Sequence, residues 1–151
     1  DNCICKEIGD SAFYGIISLK EITIPKSIIK FGSRAFGECD ALENVYYLGS
    51  KVEWEEISFK DEKSSPCCNG ASLYFQGNKV TSVAFPEGTL TTPAGAYSGC
   101  KDITSVSLPS TLKTINNYIF YNCTGLTSIT IPESVEEILN SDFAKYMQLN
   151  D

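Results

Sequence analysis

Apolar and polar residues alternate in short segments of the chain, and each segment ends at a proline. The segments are Ile22-Thr23-Ile24-Pro25, Val106-Ser107-Leu108-Pro109 and Ile129-Thr130-Ile131-Pro132, with a looser version at Val83-Ala84-Phe85-Pro86. A period of two predicts a short strand with one buried face, and proline ends it because it has no backbone N–H to donate. The pattern therefore predicts a series of short, separate strands.

The segments recur at a fixed interval. Pro86, Pro109 and Pro132 are 23 residues apart. Other columns share this interval: Phe13 and Phe36; Tyr97, Phe120 and Phe143; Cys100, Cys123 and Tyr146; Leu19 and Leu42; Ile103, Leu126 and Leu149; Ile115 and Ile138. A unit this short cannot bury its own apolar face, so copies must stack into a solenoid whose strands form a parallel sheet.

The repeated phrases AFYGIISLKEITIPKSI, AFGECDALENVYYLG and IFYNCTGLTSITIPESV, together with VYYLGSKVEWEEI, resemble the BspA-like leucine-rich repeats of surface proteins from anaerobic bacteria and some protozoan parasites. The resemblance covers nearly the whole chain. It implies an α/β-type repeat protein: a right-handed leucine-rich-repeat solenoid of short parallel strands and turns, with little helix and a 23-residue repeat. It also implies secretion or surface anchoring and a role in adhesion to host or neighbouring cells.

The periodicity breaks between residues 51 and 86. Val52–Ile57 predicts one or two helical turns packed on Trp54 and Ile57, and Leu73–Phe75 followed by a Gly-Asn turn and residues 80–85 predicts a hairpin. Residues 61–70, rich in Lys, Ser, Pro and Cys, are expected to form a surface loop. The solenoid is thus predicted to span 1–151, with repeats at about 1–50, an irregular coil at about 51–86 and repeats at about 87–151.

The two ends of the sequence lead to further expectations. The next strand would begin near residue 152, beyond Asp151. We expect the chain to be a fragment of a longer array, and the alternative is a frayed last coil that acts as an imperfect cap. The sequence begins at Asp1 without a charged-then-apolar leader before Ile4, so any export signal is expected to have been removed or left out.

Composition removes several function classes. Hydrophobic residues make up 42% and charged residues 21%, as in soluble proteins, and no window approaches the ~18 apolar residues that a membrane span needs. A net charge of −7 disfavours nucleic acid and anionic lipid as partners. Histidine is absent, which removes the commonest general base and zinc ligand. We expect a monomer that is not an enzyme, binds no metal or cofactor and does not insert into membranes.

The cysteines and carboxylates have mainly structural interpretations. Cys39, Cys100 and Cys123 share a repeat column with Ile16 and Tyr146 and are expected to be buried as small apolar residues. Cys3, Cys5, Cys67 and Cys68 lie outside this column, and whether they form disulfides stays open. Glu53, Glu55, Glu56, Asp61 and Glu62, and likewise Glu133, Glu136 and Glu137, are interpreted as solvated faces in preference to a glycosidase or calcium site.

Residues that alternate with the buried strand positions face outward and form a polar, hydroxyl-rich strip. The predicted contact residues are Glu21, Thr23, Asn44, Tyr46, Tyr74, Ser105, Ser107, Ser128 and Thr130. Solenoids present extended binding surfaces on such faces, and aromatic residues are enriched at interface hot spots. The sequence predicts an extracellular or cell-surface adhesion module that binds a protein or glycan, such as a host matrix protein. The alternative is a structural spacer that has no ligand.

Overall fold

Short strands form nearly all of the regular structure. The computed structural model describes residues 4–139 and the strand at residues 148–150. The strands are β1 (Glu7–Ile8), β2 (Glu21–Ile24), β3 (Lys30–Phe31), β4 (Asn44–Tyr47), β5 (Ser58–Phe59), β6 (Ser72–Phe75), β7 (Asn78–Lys79), β8 (Ser82–Ala84), β9 (Ser105–Ser107), β10 (Thr114–Ile115), β11 (Ser128–Thr130), β12 (Glu137–Ile138) and β13 (Gln148–Asn150). The one helix in the described part of the chain is α1 (Lys51–Glu55).

Parallel pairing joins successive units, which we call coils. Strands β2, β4 and β6 form a parallel sheet that β7 extends in the antiparallel direction, and β8 pairs in parallel with β9. Glu21 lies opposite Asn44, 23 residues later, whereas Asn44 lies opposite Ser72, 28 residues later. The coil between β4 and β6 is therefore five residues longer than the one before it.

A second set of strands, each two residues long, pairs between neighbouring coils at another side of each coil. Strands β1, β3 and β5 form one parallel ladder, and β10 pairs with β12. Aromatic rings follow the same stacking, because Phe13 lies parallel to Phe36 at 4.9 Å between ring centroids and Tyr97 lies parallel to Phe120 at 6.1 Å. Two predicted members of such columns, Phe143 and Tyr146, lie outside the described residues.

The turns between strands carry a repeated left-handed backbone. Ser11 and Arg34 have φ of 54° and 53°, and Gly95 and Tyr118 occupy the corresponding positions with φ of 71° and 59°. Non-glycine residues pay a steric cost there, of about 1–2 kcal/mol. Hydrogen bonds between coils hold this conformation, since the Ser11 N–H donates to Ser33 and the Gly95 N–H donates to Asn117.

The buried side chains form one continuous core from Ile24 to Ile129. Trp54 lies at its centre, fully buried, so its predicted role in core packing is confirmed. Ser50 and Glu53 form a capping box at the start of α1, and the Trp54 indole N–H donates to the Ala96 carbonyl at 2.7 Å. The helix therefore joins the coils before it to those after it.

The expected surface loop at residues 61–70 is wrong. Residues 64–68 are buried, with Cys67 at 0% exposure, because this segment is the turn of the long coil and is covered on both sides. Cys68 donates its S–H to the Phe36 carbonyl at 3.6 Å, just as Cys39 donates to the Phe13 carbonyl at 2.9 Å. Cys67 and Cys68 thus belong with the buried cysteines, and the five extra residues of the coil hid them from a search at a fixed interval.

A hairpin does follow β6, but its turn and its returning strand differ from the predicted Gly-Asn turn and residues 80–85. Its turn is Gln76–Gly77, since both residues have positive φ, as a two-residue hairpin turn requires. The returning strand contains only Asn78 and Lys79, and Ser82–Ala84 belongs to the next sheet as β8. Residues 72–75 are a full member of the main sheet and not only an arm of an inserted hairpin.

The last predicted strand also lies elsewhere. Strand β13 occupies Gln148–Asn150 and pairs with β11, so Leu149 lies opposite Ile129. The expected strand near residue 152 is therefore wrong by a few residues. Ile129 and Leu149 are 20 residues apart, not 23. The pairing still places one apolar residue opposite another.

Candidate functional site

The predicted contact residues lie on the outer side of the strands, which alternates with the buried side. Glu21 and Thr23 are exposed, while Asn44, Tyr46 and Tyr74 are partly exposed. All five belong to the sheet of β2, β4 and β6, whose outer side we call the strand face. Ser105, Ser107, Ser128 and Thr130 are also exposed, but they lie on β9 and β11. The structure therefore brings five of the nine residues together in one sheet.

Two rows cross the strand face. Glu21, Asn44 and Ser72 lie opposite one another in one row, and Thr23, Tyr46 and Tyr74 form the other. Parallel pairing without a register shift keeps each row on one side of the sheet. The aromatic residues therefore lie side by side, next to a hydroxyl group and a carboxylate.

The tyrosine pair is the main feature of this face. The Tyr46 and Tyr74 rings lie 5.0 Å apart between centroids, tilted by 32°. Lys79 lies opposite Tyr74 on β7, with its Nζ 5.9 Å from the Tyr74 ring centroid. Such an arrangement offers an apolar surface with phenol hydroxyls and one cation, suited to a sugar ring or to the side chains of a partner protein.

Sequence reasoning missed two residues near this site. Lys79 lies in the irregular coil at about 51–86 and has no predicted contact role, whereas the hairpin turn at Gln76–Gly77 places it opposite Tyr74. Ser72 is 5% exposed and donates its hydroxyl hydrogen to the Asp102 carboxylate, while the Lys101 amine lies 3.2 Å from the Ser72 oxygen. These contacts hold the first residue of β6 against the following coil.

Glu53 and Glu55, in the long coil between β4 and β6, contact different partners. Glu53 caps α1 by accepting from the Ser50 N–H at 2.7 Å, and this hydrogen bond helps lower its pKa. Glu55 pairs with Lys51 at 2.8 Å and accepts from the Tyr97 hydroxyl at 2.6 Å. Residues 4–139 hold no group of three or more His, Cys, Asp or Glu residues that could bind a metal ion.

Burial makes the Cys68 and Cys123 thiols poor nucleophiles. Burial raises the pKa of Cys68 and of Cys123 to about 12, so neither thiol ionises near neutral pH. Cys39, Cys100 and Cys123 are buried as the repeat column predicted, whereas Ile16, in the same column, is 37% exposed on the first described coil. Cys5 is exposed, and the six thiols of the described residues are free. Cys3 lies outside the described residues.

Comparisons with known proteins agree with this architecture. The family model described as the BspA type leucine rich repeat region matches residues 3–66 and 71–151, in six copies. No curated protein sequence matches the chain significantly.

Two crystal structures share the fold. A leucine rich cell surface protein from Faecalibacterium prausnitzii is 22% identical, with a TM-score of 0.56, and the match covers 97% of this chain and 43% of that protein. A leucine-rich repeat protein from Bacteroides ovatus is 24% identical, with a TM-score of 0.56 and coverage of 97% and 40%. The chain thus spans less than half the length of either protein.

No helix within residues 4–139 is both long and apolar enough to cross a bilayer.

Proposed function

Because the chain belongs to the BspA-type leucine-rich repeat family, we propose that it is a secreted or cell-surface adhesion module that recognises a protein or glycan through its strand face. Leucine-rich repeat proteins are generally binding scaffolds without enzymatic activity. The proposal includes a right-handed solenoid with a 23-residue unit, monomeric and continuous over residues 1–151. Its surface location is supported by the Faecalibacterium protein, which is described as a cell surface protein.

The observation that carries the proposal is the exposed pairing of Tyr46 with Tyr74. Two aromatic rings at 5.0 Å on an outer sheet face expose apolar surface that the core does not use. Aromatic residues of this kind dominate the energetics of many interfaces, and planar rings also stack on the apolar faces of sugars. Glu21, Thr23 and Asn44 supply hydrogen-bonding groups around the pair.

The test is a binding screen of the purified chain against extracellular matrix proteins and host glycans. Tyr46→Ser and Tyr74→Ser should each weaken the binding found for the unmodified chain by about 10- to 30-fold, the loss expected at a hot spot. Tyr14→Ser is the matched control, since Tyr14 is 40% exposed and lies in a turn next to Arg34 and Gly37, outside the sheet. Its binding should equal that of the unmodified chain.

The alternative function is a structural spacer. A spacer would give no specific binding to any member of the screen, and its tyrosine substitutions would change nothing. Binding that survives in both strand-face variants would reject this face as the contact site while leaving the adhesion function intact.

A further inference from the structure

Between the four-stranded sheet and the β8–β9 pair, two strand edges have no partner among the described strands. The four-stranded sheet ends at β7, and β8 pairs with β9 alone among the described strands. Only two residues, Val80 and Thr81, separate β7 from β8, and residues of both strands line one gap between them. An unpaired strand edge is a template for another extended chain.

The hydrogen bonds of β8 show which of its groups are free. The Thr81 carbonyl accepts from the Thr104 N–H at 2.9 Å, and the Phe85 N–H donates to the Ser107 carbonyl at 3.1 Å. Alternate residues of a strand direct their backbone groups to the same edge, so Thr81 and Phe85 point towards β9. The backbone N–H and C=O groups of Ser82 and Ala84 therefore point towards the gap.

The same reasoning applies to β7. The Val80 N–H donates to the Leu73 carbonyl at 2.8 Å, which makes these two residues a hydrogen-bonded pair. Hydrogen-bonded and non-hydrogen-bonded pairs alternate along antiparallel strands, so Lys79 and Tyr74 form a non-hydrogen-bonded pair. The backbone groups of Lys79 point away from β6 and towards the gap.

A cleft of about 330 Å³ occupies this gap. The partly exposed Phe75 supplies apolar surface, and Lys51, Lys79 and Ser82 also line the cleft. Its lining includes two lysines and no carboxylate. Lys51 already pairs with Glu55 at 2.8 Å, whereas Lys79 has no ion pair with any described residue. The cleft therefore offers free backbone N–H and C=O groups beside Lys79, a cation without an ion pair among the described residues.

We propose that this junction cleft binds an extended peptide of a partner protein by β-strand addition, and that a carboxylate of the peptide pairs with Lys79. Strand addition supplies main-chain hydrogen bonds from Lys79, Ser82 and Ala84, and the cation selects an acidic side chain. The site borders the strand face at Lys79, whose Nζ lies 5.9 Å from the Tyr74 ring centroid, but its other contacts are backbone groups at the sheet edge and not the outward tyrosine rings.

The test follows the backbone amide signals of the ¹⁵N-labelled chain by NMR during titration with the acetylated, amidated peptide Thr-Val-Glu-Val-Thr. The amides of Lys79, Ser82 and Ala84 should shift most. A peptide with Lys in place of Glu should bind at least about tenfold more weakly, the loss of one charge-assisted hydrogen bond. The same peptide N-methylated at both valines and at Glu lacks the central amide donors of both its edges and should not bind.

Ala84→Pro provides the corresponding change in the protein. It removes a backbone N–H that points into the gap and leaves the pairing of β8 with β9 in place, so peptide binding should be lost. Ala84→Ser keeps the N–H and should bind like the unmodified chain. Tyr46→Ser should also bind the peptide normally, which separates this site from the strand face.

The proposal is overturned if the peptide produces no shifts at millimolar concentration, if the shifts centre on Tyr46 and Tyr74, or if the N-methylated peptide binds equally well. Should Ala84→Pro fail to fold, the N-methylated peptide on the unmodified chain still decides the matter.

Discussion

At the scale of single residues, Asp61 joins two neighbouring coils. Its carboxylate accepts from the Ser33 hydroxyl at 2.6 Å and from the Arg34 N–H at 3.2 Å. The Lys63 N–H and the Ser64 hydroxyl donate to the same carboxylate at 3.0 and 3.1 Å. Burial works to raise the pKa of Asp61, but these hydrogen bonds outweigh it and lower the pKa from its ordinary value.

We expect Asp61→Asn to reduce the free energy of unfolding by about 1–2 kcal/mol near neutral pH, a value that allows for the partial exposure of the group. Because the folded pKa lies below the unfolded value of about 3.9, the charged carboxylate stabilises the fold above that pH. This contribution disappears as the pH falls through the folded pKa. Urea unfolding at neutral pH and at acid pH should show a difference from the unmodified chain that shrinks in acid.

The exposed Asp40 provides a control for this measurement. Asp40→Asn should leave the unfolding free energy nearly unchanged at both pH values. An Asp61→Asn variant as stable as the unmodified chain at neutral pH would contradict a role for this carboxylate between coils.

At the scale of elements, α1 links the first sheet to the coils that follow it. Glu55 accepts from the hydroxyl of the fully buried Tyr97 at 2.6 Å, one residue from the Ala96 carbonyl that receives the Trp54 N–H. Desolvation, followed by the nearby Glu55 charge, raises the pKa of Tyr97, so this phenol stays a hydrogen-bond donor. The helix thus contributes two polar contacts to the junction.

Tyr97→Phe keeps the ring and removes only the hydroxyl. We expect the unfolding free energy to fall by about 1–2 kcal/mol, since a hydrogen bond to a charged acceptor is lost. Tyr46→Phe, on the outer sheet face, should change it little. Chemical denaturation of both variants measures the difference, and equal midpoints would show that the contact with Glu55 does not stabilise the junction.

Sequence patterns predicted the strands that keep a regular spacing. Segments such as Glu21–Ile24 and Ser105–Ser107 combine alternation with a closing proline, so their outer residues could be assigned directly. The burial of Cys67 and Cys68 could not be predicted in this way, because the coil from β4 to β6 is longer and moves them out of the repeat column. The pairing of Tyr46 with Tyr74 depends on this same irregular register, so only three-dimensional pairing places the two rings together.

At the scale of the whole molecule, the close contact between coils at the junction predicts a single unfolding unit. A side-chain carbon at Gly99 would lie 2.2 Å from the Cys67 carbonyl oxygen, and one at Gly95 would lie 3.0 Å from Phe59. Gly99 also has φ of 77°, which favours glycine. The break in the sheets is therefore compensated by tight packing of the turns and by α1.

Repeat proteins unfold as one unit when the interfaces between repeats are strong, and in parts when one interface is weak. Trp54 is the single tryptophan and lies at the junction, so its fluorescence reports on that region, while far-UV circular dichroism reports on all coils. We expect the two signals to give coincident urea transitions. Gly99→Ala should lower the midpoint of both, because the added methyl group meets backbone atoms that cannot move aside. A second transition in circular dichroism without a change in fluorescence would show instead that the coils beyond the junction unfold independently.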